Sequence, residues 1–599
     1  MPALQGYFLY SSNATKPTTM KKISISLLLF FPILLIAQDN LTWYEPTFVN
    51  GVCELDSQHI FHRLPARMEK EVRKPVWDLS TQSAGVFIYF KTTARSITVR
   101  YTLASKVTAH PHQPATGVSG VDLYAVDRNG DWNWTPGRFM FRDTVTYTFS
   151  NLNMPARRFT DYYLYLPPYN EVKWLSIGVP AEERFSFAKD QNGKPIVAYG
   201  TSIMQGAVAS RPGLAWTNIL HRKLDRTVIN LGFSGNGKLE KPIFDLMAKV
   251  DAALYIIDCM PNLTGRDVTA NDIKERLYYG INKLRAAHPD VPILLAEHAV
   301  AHGPFFMDTA RLNTYQRPNL ALQKIMEDLK ADGYKNIYYL SAKDFDFNIG
   351  STTDGLHPND VGMMQYANAY EKIIREMLNE PVGEISTQKP VQQYREGYDW
   401  LKRHNDIIEN TRKTNPDVII LANSIVHYWG GLPARGNVPA MGEESWQQNL
   451  APLKVQNAGF GWDRIENTLW HVYHGILDEF KGRKILVKIG INNVGMNTDE
   501  EIVNGLQFLL TQIRKRKPQA EIIMAGLLPA RNREERVEAL NAKIKEMAMK
   551  NNFRFVDYSK AFLKDGKIDA SLFLQDGLHP NKAGYDVMGR EVKKVLEAK

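Results

Sequence analysis

Asp354-Gly355-Leu356-His357-Pro358-Asn359 recurs letter for letter as Asp576-Gly577-Leu578-His579-Pro580-Asn581. Upstream of the first copy stands Ile196-Val197-Ala198-Tyr199-Gly200-Thr201-Ser202-Ile203, and upstream of the second Val418-Ile419-Ile420-Leu421-Ala422-Asn423-Ser424-Ile425. The serine-to-aspartate spacing is 152 in both (354 − 202 and 576 − 424), and the serine-to-histidine spacing is 155 in both (357 − 202 and 579 − 424). One copy alone reads as a turn, because Asp-Gly and His-Pro are common turn material. Two copies at one distance from two strand-serine elements make it a repeated chemical unit. Serine, aspartate and histidine are the parts of a nucleophilic triad.

Outward from these stretches, apolar runs of strand length alternate with helix-length amphipathic segments. The pattern over 189–380 predicts a three-layer α/β/α domain with a parallel sheet. In such sheets the functional groups lie beyond the carboxyl ends of the strands. Ser202, Gly235, Asn262, Asp354 and His357 all fall just past strand ends or in loops on that side. The same pattern returns over 397–599, with Ser424, Asn492, Asp576 and His579 at the matching places, so the halves form an internal repeat of about 200 residues. Residues 381–396 are polar, carry Pro381, Gly383 and Pro390, and read as a linker.

Residues 39–188 have a different character. Gly85-Val86-Phe87-Ile88-Tyr89-Phe90 and Ser96-Ile97-Thr98-Val99-Arg100-Tyr101 have period two, and turn clusters such as Asp127-Arg128-Asn129-Gly130-Asp131 separate such runs. This predicts a β-sandwich, of jelly-roll type. Its aromatic residues Trp132, Trp134 and Tyr169 are candidates for stacking on sugar rings, with core or interface filling as the alternative. His110 and His112 are a candidate metal pair, but no third ligand stands near them in sequence, so an exposed loop is the favoured reading.

Ahead of the sandwich, Met20-Lys21-Lys22 leads an apolar run, Ile23 to Ile36, that ends at Ala37-Gln38-Asp39. A basic start, a short apolar run and a small residue predict a secretory signal peptide within 1–38, cleaved near Ala37, with translation starting near Met20 and a secreted or periplasmic product. The run is short for a membrane span, so no stable insertion is expected after cleavage. A net charge of +9 spread over 599 residues, with no dense basic run, argues against a nucleic-acid partner. Two cysteines, Cys53 and Cys259, fall in different predicted domains, which excludes a disulfide framework.

A serine hydroxyl needs a base, so His357 and His579 would take its proton, with Asp354 and Asp576 orienting the imidazoles. Charge on an attacked ester oxygen needs preorganised donors: backbone N–H groups at Ser202 and Gly235 and the Asn262 amide in the first unit.

This ordered set resembles the SGNH (GDSL-type) hydrolase family over both α/β units. Gly200-Thr201-Ser202-Ile203 matches the nucleophile block and Gly232-Phe233-Ser234-Gly235 the glycine block. Asn262 matches the asparagine block, although Asp258-Cys259-Met260-Pro261-Asn262 departs from the family's Gly-x-Asn-Asp. Asp354 and His357 fill the last block. The resemblance implies a flavodoxin-like sheet and serine esterase activity without cofactor or metal. A sandwich ahead of such a domain is similar to certain secreted carbohydrate acetylesterases. The second unit resembles the branch that includes platelet-activating-factor acetylhydrolase and sialate O-acetylesterase-like proteins. There Ala422-Asn423 replaces Gly-Asp before the serine, and Trp462 stands where the glycine donor is expected. The expected function is therefore removal of O-acetyl groups from an acetylated polysaccharide or oligosaccharide at two sites. The alternatives are a lipid or aryl esterase, or one catalytic unit beside a degenerate, glycan-binding one.

Overall fold

The computed structural model describes residues 40–127, 129–153, 159–302, 307–393, 395, 397–433 and 440–598. The expected leader, 1–38, lies outside the described residues. The described residues from Leu41 onward form one compact unit.

Among the described residues, ten strands build the N-terminal domain: β1 (Leu41–Tyr44), β2 (Phe87–Thr92), β3 (Ile97–Leu103), β4 (Asp122–Val126), β5 (Trp132–Thr135), β6 (Arg138–Met140), β7 (Thr144–Phe149), β8 (Thr160–Tyr165), β9 (Val172–Pro180) and β10 (Phe185–Ala188). They form two antiparallel sheets, ordered β1-β9-β3-β7-β6 and β10-β2-β8-β4-β5. Alternate residues of facing strands, Ile97, Val99 and Tyr101 from one sheet and Ile88, Phe90 and Leu164 from the other, meet in a single core. The second sheet is buried on its other face as well. There Phe87, Tyr163 and Tyr165 pack on His221 of the next domain, with ring centroids 4.9, 5.7 and 5.8 Å away. Trp132 belongs to this interface too: its indole Nε1–H donates to Asp225 at 2.9 Å. It is therefore interface filling and not a sugar platform. Trp134 donates to Asp122 at 2.6 Å and lies under the Arg211 guanidinium.

The first α/β domain has β11 (Ile196–Gly200), β12 (Val228–Gly232), β13 (Leu254–Asp258), β14 (Ile293–Ala296) and β15 (Ile337–Leu340), all parallel and ordered β12-β11-β13-β14-β15. The second repeats it with β16 (Val418–Ala422), β17 (Val455–Gly459), β18 (Lys484–Lys488), β19 (Glu521–Ala525) and β20 (Arg554–Val556), ordered β17-β16-β18-β19-β20. This is the flavodoxin-like order, and it opens a crevice beyond the first and third strands, where the chain reverses direction across the sheet. The near-continuous apolar runs follow from helices on both faces. In β11, Val197 and Tyr199 enter one core, while Ile196 and Ala198 enter the other.

The segment 381–396, expected as a spacer, is tied to its neighbours at Thr387, Val391 and Gln392. Thr387 is buried and its hydroxyl donates to the Glu501 carbonyl at 2.8 Å. The Val391 N–H donates to the Glu466 carbonyl at 3.2 Å, and Gln392 donates to Asp225 at 3.1 Å. Polar composition suggested solvent, but these polar groups are satisfied by both neighbouring domains. Beside it, Arg226 and Glu380 form a buried ion pair at 3.0 Å, and Arg226 also reaches the Tyr473 carbonyl. Both cysteine thiols are free.

Candidate active sites

At the end of β11, Thr201 caps the short helix Ser202–Gln205, its hydroxyl accepting from Ile203 N–H, and so turns Ser202 into the crevice. Ser202 Oγ lies 2.9 Å from His357 Nε2, and His357 Nδ1 lies 2.7 Å from Asp354 Oδ2. The other carboxylate oxygen accepts the backbone N–H groups of Leu356 and His357 at 2.9 and 2.7 Å. Burial pushes the Asp354 carboxyl up, but these bonds and the imidazole outweigh it and hold the group well below the usual carboxylate range. An ionised carboxylate only accepts, so the imidazole proton sits on Nδ1 and leaves Nε2 to accept from the serine. The rest of the hexapeptide is structural: Gly355 adopts φ +76°, and Asn359 caps the helix Asp360–Met377.

The second site repeats this. Asn423 caps Ser424–His427 as Thr201 does in the first, so the departure Ala422-Asn423 leaves the elbow intact. Ser424 Oγ is 2.8 Å from His579 Nε2, and His579 Nδ1 is 2.6 Å from Asp576 Oδ2. Burial raises the Asp576 carboxyl and its bonds to His579 and Leu578 more than reverse this, so it too is lowered.

The glycine blocks correspond residue for residue, because Gly232 and Gly459 pair in register with Gly200 and Ala422: Gly232-Phe233-Ser234-Gly235 answers Gly459-Phe460-Gly461-Trp462. Gly235 has φ +66°, and Trp462 has φ +67°. A Cβ at Gly235 would meet open space, and the Trp462 indole, 66% exposed, projects from the matching place. Both backbones thus aim the same peptide N–H, and the side chain changes only the rim. The asparagines differ in setting. Asn262 Oδ1 accepts Gly237 N–H at 3.0 Å, which leaves the amide hydrogens for the crevice. Asn492 Nδ2 donates one hydrogen to the Asp463 carbonyl at 2.9 Å and keeps one.

Four residues missed in the sequence fix these blocks. Ser234 N–H donates to Gln205 Oε1 at 2.9 Å, and Gly461 N–H donates to His427 Nδ1 at 3.0 Å. Each acceptor lies three residues after its serine. Buried Asn230 and Asn457, in the middle of β12 and β17, donate to carbonyls of the serine helix or its C-terminal turn (Met204 at 2.6 Å; Val426 at 2.8 Å). They also accept from Gly232 and Gly459 N–H at 2.9 and 2.8 Å. The Asn-x-Gly shared by both halves was the available signal.

The sandwich contributes directly to the first site's surroundings, and its Lys91 also pairs with Asp399 beside the second at 3.6 Å. Tyr169 OH donates to the Ser202 carbonyl at 3.2 Å. Asp122 accepts Gly213 N–H at 3.0 Å and pairs with Arg211, pinning the loop after the serine helix. Tyr169 is thus a support of the serine, not a sugar platform. His112 is exposed, as its loop reading required, but its ring lies 5.9 Å from that of His357. Its donor atoms fall within 4.8 Å of those of Asp354 and His357, a third-ligand proximity that the sequence did not reveal. Both His357 nitrogens are already engaged by Asp354 and Ser202, so the cluster is accounted for as a triad with a neighbour. Buried His298, on the other side, has its pKa pushed down to about 3 by burial and then by His357, and stays neutral.

In the second site the Gly461 carbonyl accepts from Arg395 Nε at 2.9 Å and from Tyr398 OH at 3.1 Å. Asp463 is fully buried against Trp400 Nε1 at 2.8 Å and His471 Nε2 at 3.1 Å.

A serine bonded to an imidazole, the imidazole to an ionised carboxylate, and a turn N–H with an amide beside it are the parts of acyl transfer through a tetrahedral intermediate. Fold and site together define an acyl hydrolase on a flavodoxin-like sheet. Residues 193–375 and 420–587 each match models of the GDSL-like lipase/acylhydrolase family, and residues 41–185 match a model described as the N-terminus of SGNH-hydrolase-type esterases. The chain belongs to the GDSL/SGNH hydrolase family. The last model's signature, GxDLY, coincides with Gly120-Val121-Asp122-Leu123-Tyr124, which contains the Asp122 clamp. Platelet-activating factor acetylhydrolase IB subunit alpha2 of Homo sapiens is 29% identical over 192 residues, covering 31% of this chain and 78% of that protein. The alpha1 subunit of Bos taurus is 24% identical over 216 residues, covering 35% and 88%. A crystal structure from Bacteroides ovatus, described as a GDSL-like lipase, aligns with TM-score 0.52 and 29% identity over 57% of this chain and 98% of that one.

Proposed function

We propose that the protein is a secreted O-acetylesterase acting on acetylated glycans through two independent Ser–His–Asp sites. The observation that carries the two-site reading is the pair of complete hydrogen-bonded triads, Ser202–His357–Asp354 and Ser424–His579–Asp576. In each, histidine takes the serine proton as Oγ attacks the acetyl carbonyl. The tetrahedral oxyanion is met by the Ser202 and Gly235 N–H groups with the Asn262 amide, or by the Ser424 and Trp462 N–H groups with Asn492. Histidine then returns the proton to the sugar oxygen as the alcohol leaves. Water repeats the sequence on the acetyl-enzyme, releasing acetate.

The acetyl group as the acyl part is supported by the acetylhydrolase relatives. A hydroxylated substrate at the first site is supported by its polar rim, where His112 and Asp354 are exposed. Secretion rests on the basic and apolar leader ahead of the sandwich. No helix among the described residues is long and apolar enough to cross a membrane. At the second site one observation favours an aryl or lipid ester instead: Trp462 and Met496 are 66% and 62% exposed, and the Tyr428 ring lies 4.9 Å from that of His579.

The test is the rate of hydrolysis of 4-nitrophenyl esters of increasing acyl length, with acetate release from acetylated xylan, mannan and pectin. The expected result is acetyl over butyryl by roughly tenfold or more and acetate from at least one polymer. Faster turnover of butyryl or longer esters, or no acetate from any polymer, contradicts the reading.

A further inference from the structure

A cavity of about 490 Å³ opens on the sandwich, away from both triads, in the size range of small-ligand sites. One wall is β9, and its backbone is irregular there. Thr102 opposes Trp174 and Leu103 opposes Val172, so Lys173 is an extra residue in the ladder. In a regular strand Lys173 and Trp174 would face opposite ways. This bulge turns both outward, giving buried, exposed, exposed, buried from Val172 to Leu175, and re-aiming side chains is what bulges do beside functional sites.

The groups it gathers are ordered. Trp174 is 37% exposed, and its indole N–H donates to Glu45 Oε1 at 2.8 Å, which fixes the plane of the ring. Glu171 Oε1 accepts from His62 Nε2 at 3.0 Å and from Lys173 Nζ at 2.8 Å. The His59 ring stacks on His62 at 4.7 Å, closing the far wall. An immobilised indole face flanked by two carboxylates and an ammonium suits a pyranose: C–H groups lie on the ring while hydroxyls donate to the carboxylates and accept from lysine. Of the other sandwich aromatics, Trp132 is committed to the domain interface and Tyr169 to the Ser202 carbonyl, while Trp134, 46% exposed, carries the Arg211 guanidinium on its ring. The place matters as well. Tyr169, whose hydroxyl holds the Ser202 carbonyl, precedes Trp174 by five residues, at most roughly 17 Å of chain.

We propose that this cavity is a docking subsite for a neutral pyranose chain, built on Trp174, Glu45, Glu171 and Lys173, which keeps a polymer beside the first serine. That it serves the esterase rests on the glycan reading above; that it binds sugar does not.

The experiment is isothermal titration of the full chain with unacetylated xylohexaose, mannohexaose and cellohexaose, for wild type, Trp174→Ala, Trp174→Phe and Glu171→Gln. Wild type is expected to bind at least one hexaose, and Trp174→Ala to weaken it roughly tenfold or more. Trp174→Phe is expected to retain most of the affinity, Glu171→Gln to lose part of it, and all four proteins to keep kcat/KM for 4-nitrophenyl acetate within about twofold. Binding of none of the three sugars to wild type, or equal binding by Trp174→Ala, overturns the proposal. The ligands carry no acetyl group, so failure of the esterase reading registers separately, as absent acetate release from acetylated polymers with sugar binding intact.

Discussion

Gly235 and Trp462 occupy the same turn, at φ +66° and +67°, one with no side chain and the other with an indole. A bulky residue in the left-handed region carries strain of about 1–3 kcal/mol and persists only when its neighbours over-determine it. Here they do: His427 holds the Gly461 N–H, Arg395 and Tyr398 hold its carbonyl, and Asn492 holds the Asp463 carbonyl on the other side of Trp462. Because His427 accepts through Nδ1, glutamine can replace it, as Gln205 does in the first site. We expect His427→Gln to keep second-site activity within roughly threefold and His427→Ala to lower kcat about 10²-fold, since a displaced oxyanion donor costs about that much. The measurement is kcat and KM on an acetyl ester in a Ser202→Ala background, and equal loss in both variants would contradict the positioning role. The triads were legible because spacing repeats over 155 residues. The acceptors were not, because Gln205 and His427 differ in type and share only a hydrogen-bonding direction. Nor does a sequence state φ, so it marks Trp462 as a departure from the glycine block without showing that its backbone takes the same turn.

Among the elements, β13 and β18 end on opposite charges at one repeat position. Asp258 pairs with Gly200 in register, and Lys488 with Ala422. Both are buried. Burial pushes the Asp258 carboxyl up to about 7 against the opposing bond from Tyr370, and burial pushes the Lys488 ammonium down to about 7. The signs differ. Asp258, raised from near 4, contributes stability that is complete below about pH 4 and is lost as pH rises towards 7. Lys488, lowered from near 10.5, contributes stability that is complete above about pH 10.5 and is lost as pH falls towards 7. Asp258→Asn, which can still accept from Tyr370, is expected to remove a pH 4–7 loss on the order of 3 kcal/mol from the first domain's unfolding. Denaturant unfolding across that range checks it, and an unchanged pH slope in the variant would contradict the assignment. The strands themselves were readable from apolar runs and period. Their ends were not, because a charged residue closing an apolar run looks like a boundary in sequence, and only the fold reveals that it is buried.

On the scale of the whole molecule, the two sites have different walls. The sandwich lends Tyr169, Asp122 and the exposed His112 to the surroundings of the first, whereas the second takes Arg395 and Tyr398 from the segment that joins the domains and opens the second one. Sequence predicted three domains, with a polar joint between the last two. It did not show that the joint is tied down, because its partners, Glu466, Glu501 and Asp225, lie far along the chain and leave no local pattern. The same holds for the sandwich aromatics, whose alternation marked strands without saying which face would meet another domain. One chain with two complete triads is the central claim. Its most direct test is labelling of the full chain with a small serine-reactive fluorophosphonate, read by intact mass and peptide mapping. The account predicts two adducts, one on Ser202 and one on Ser424, with none on the Ser202→Ala/Ser424→Ala double variant. A single adduct, or any adduct remaining on the double variant, would contradict it.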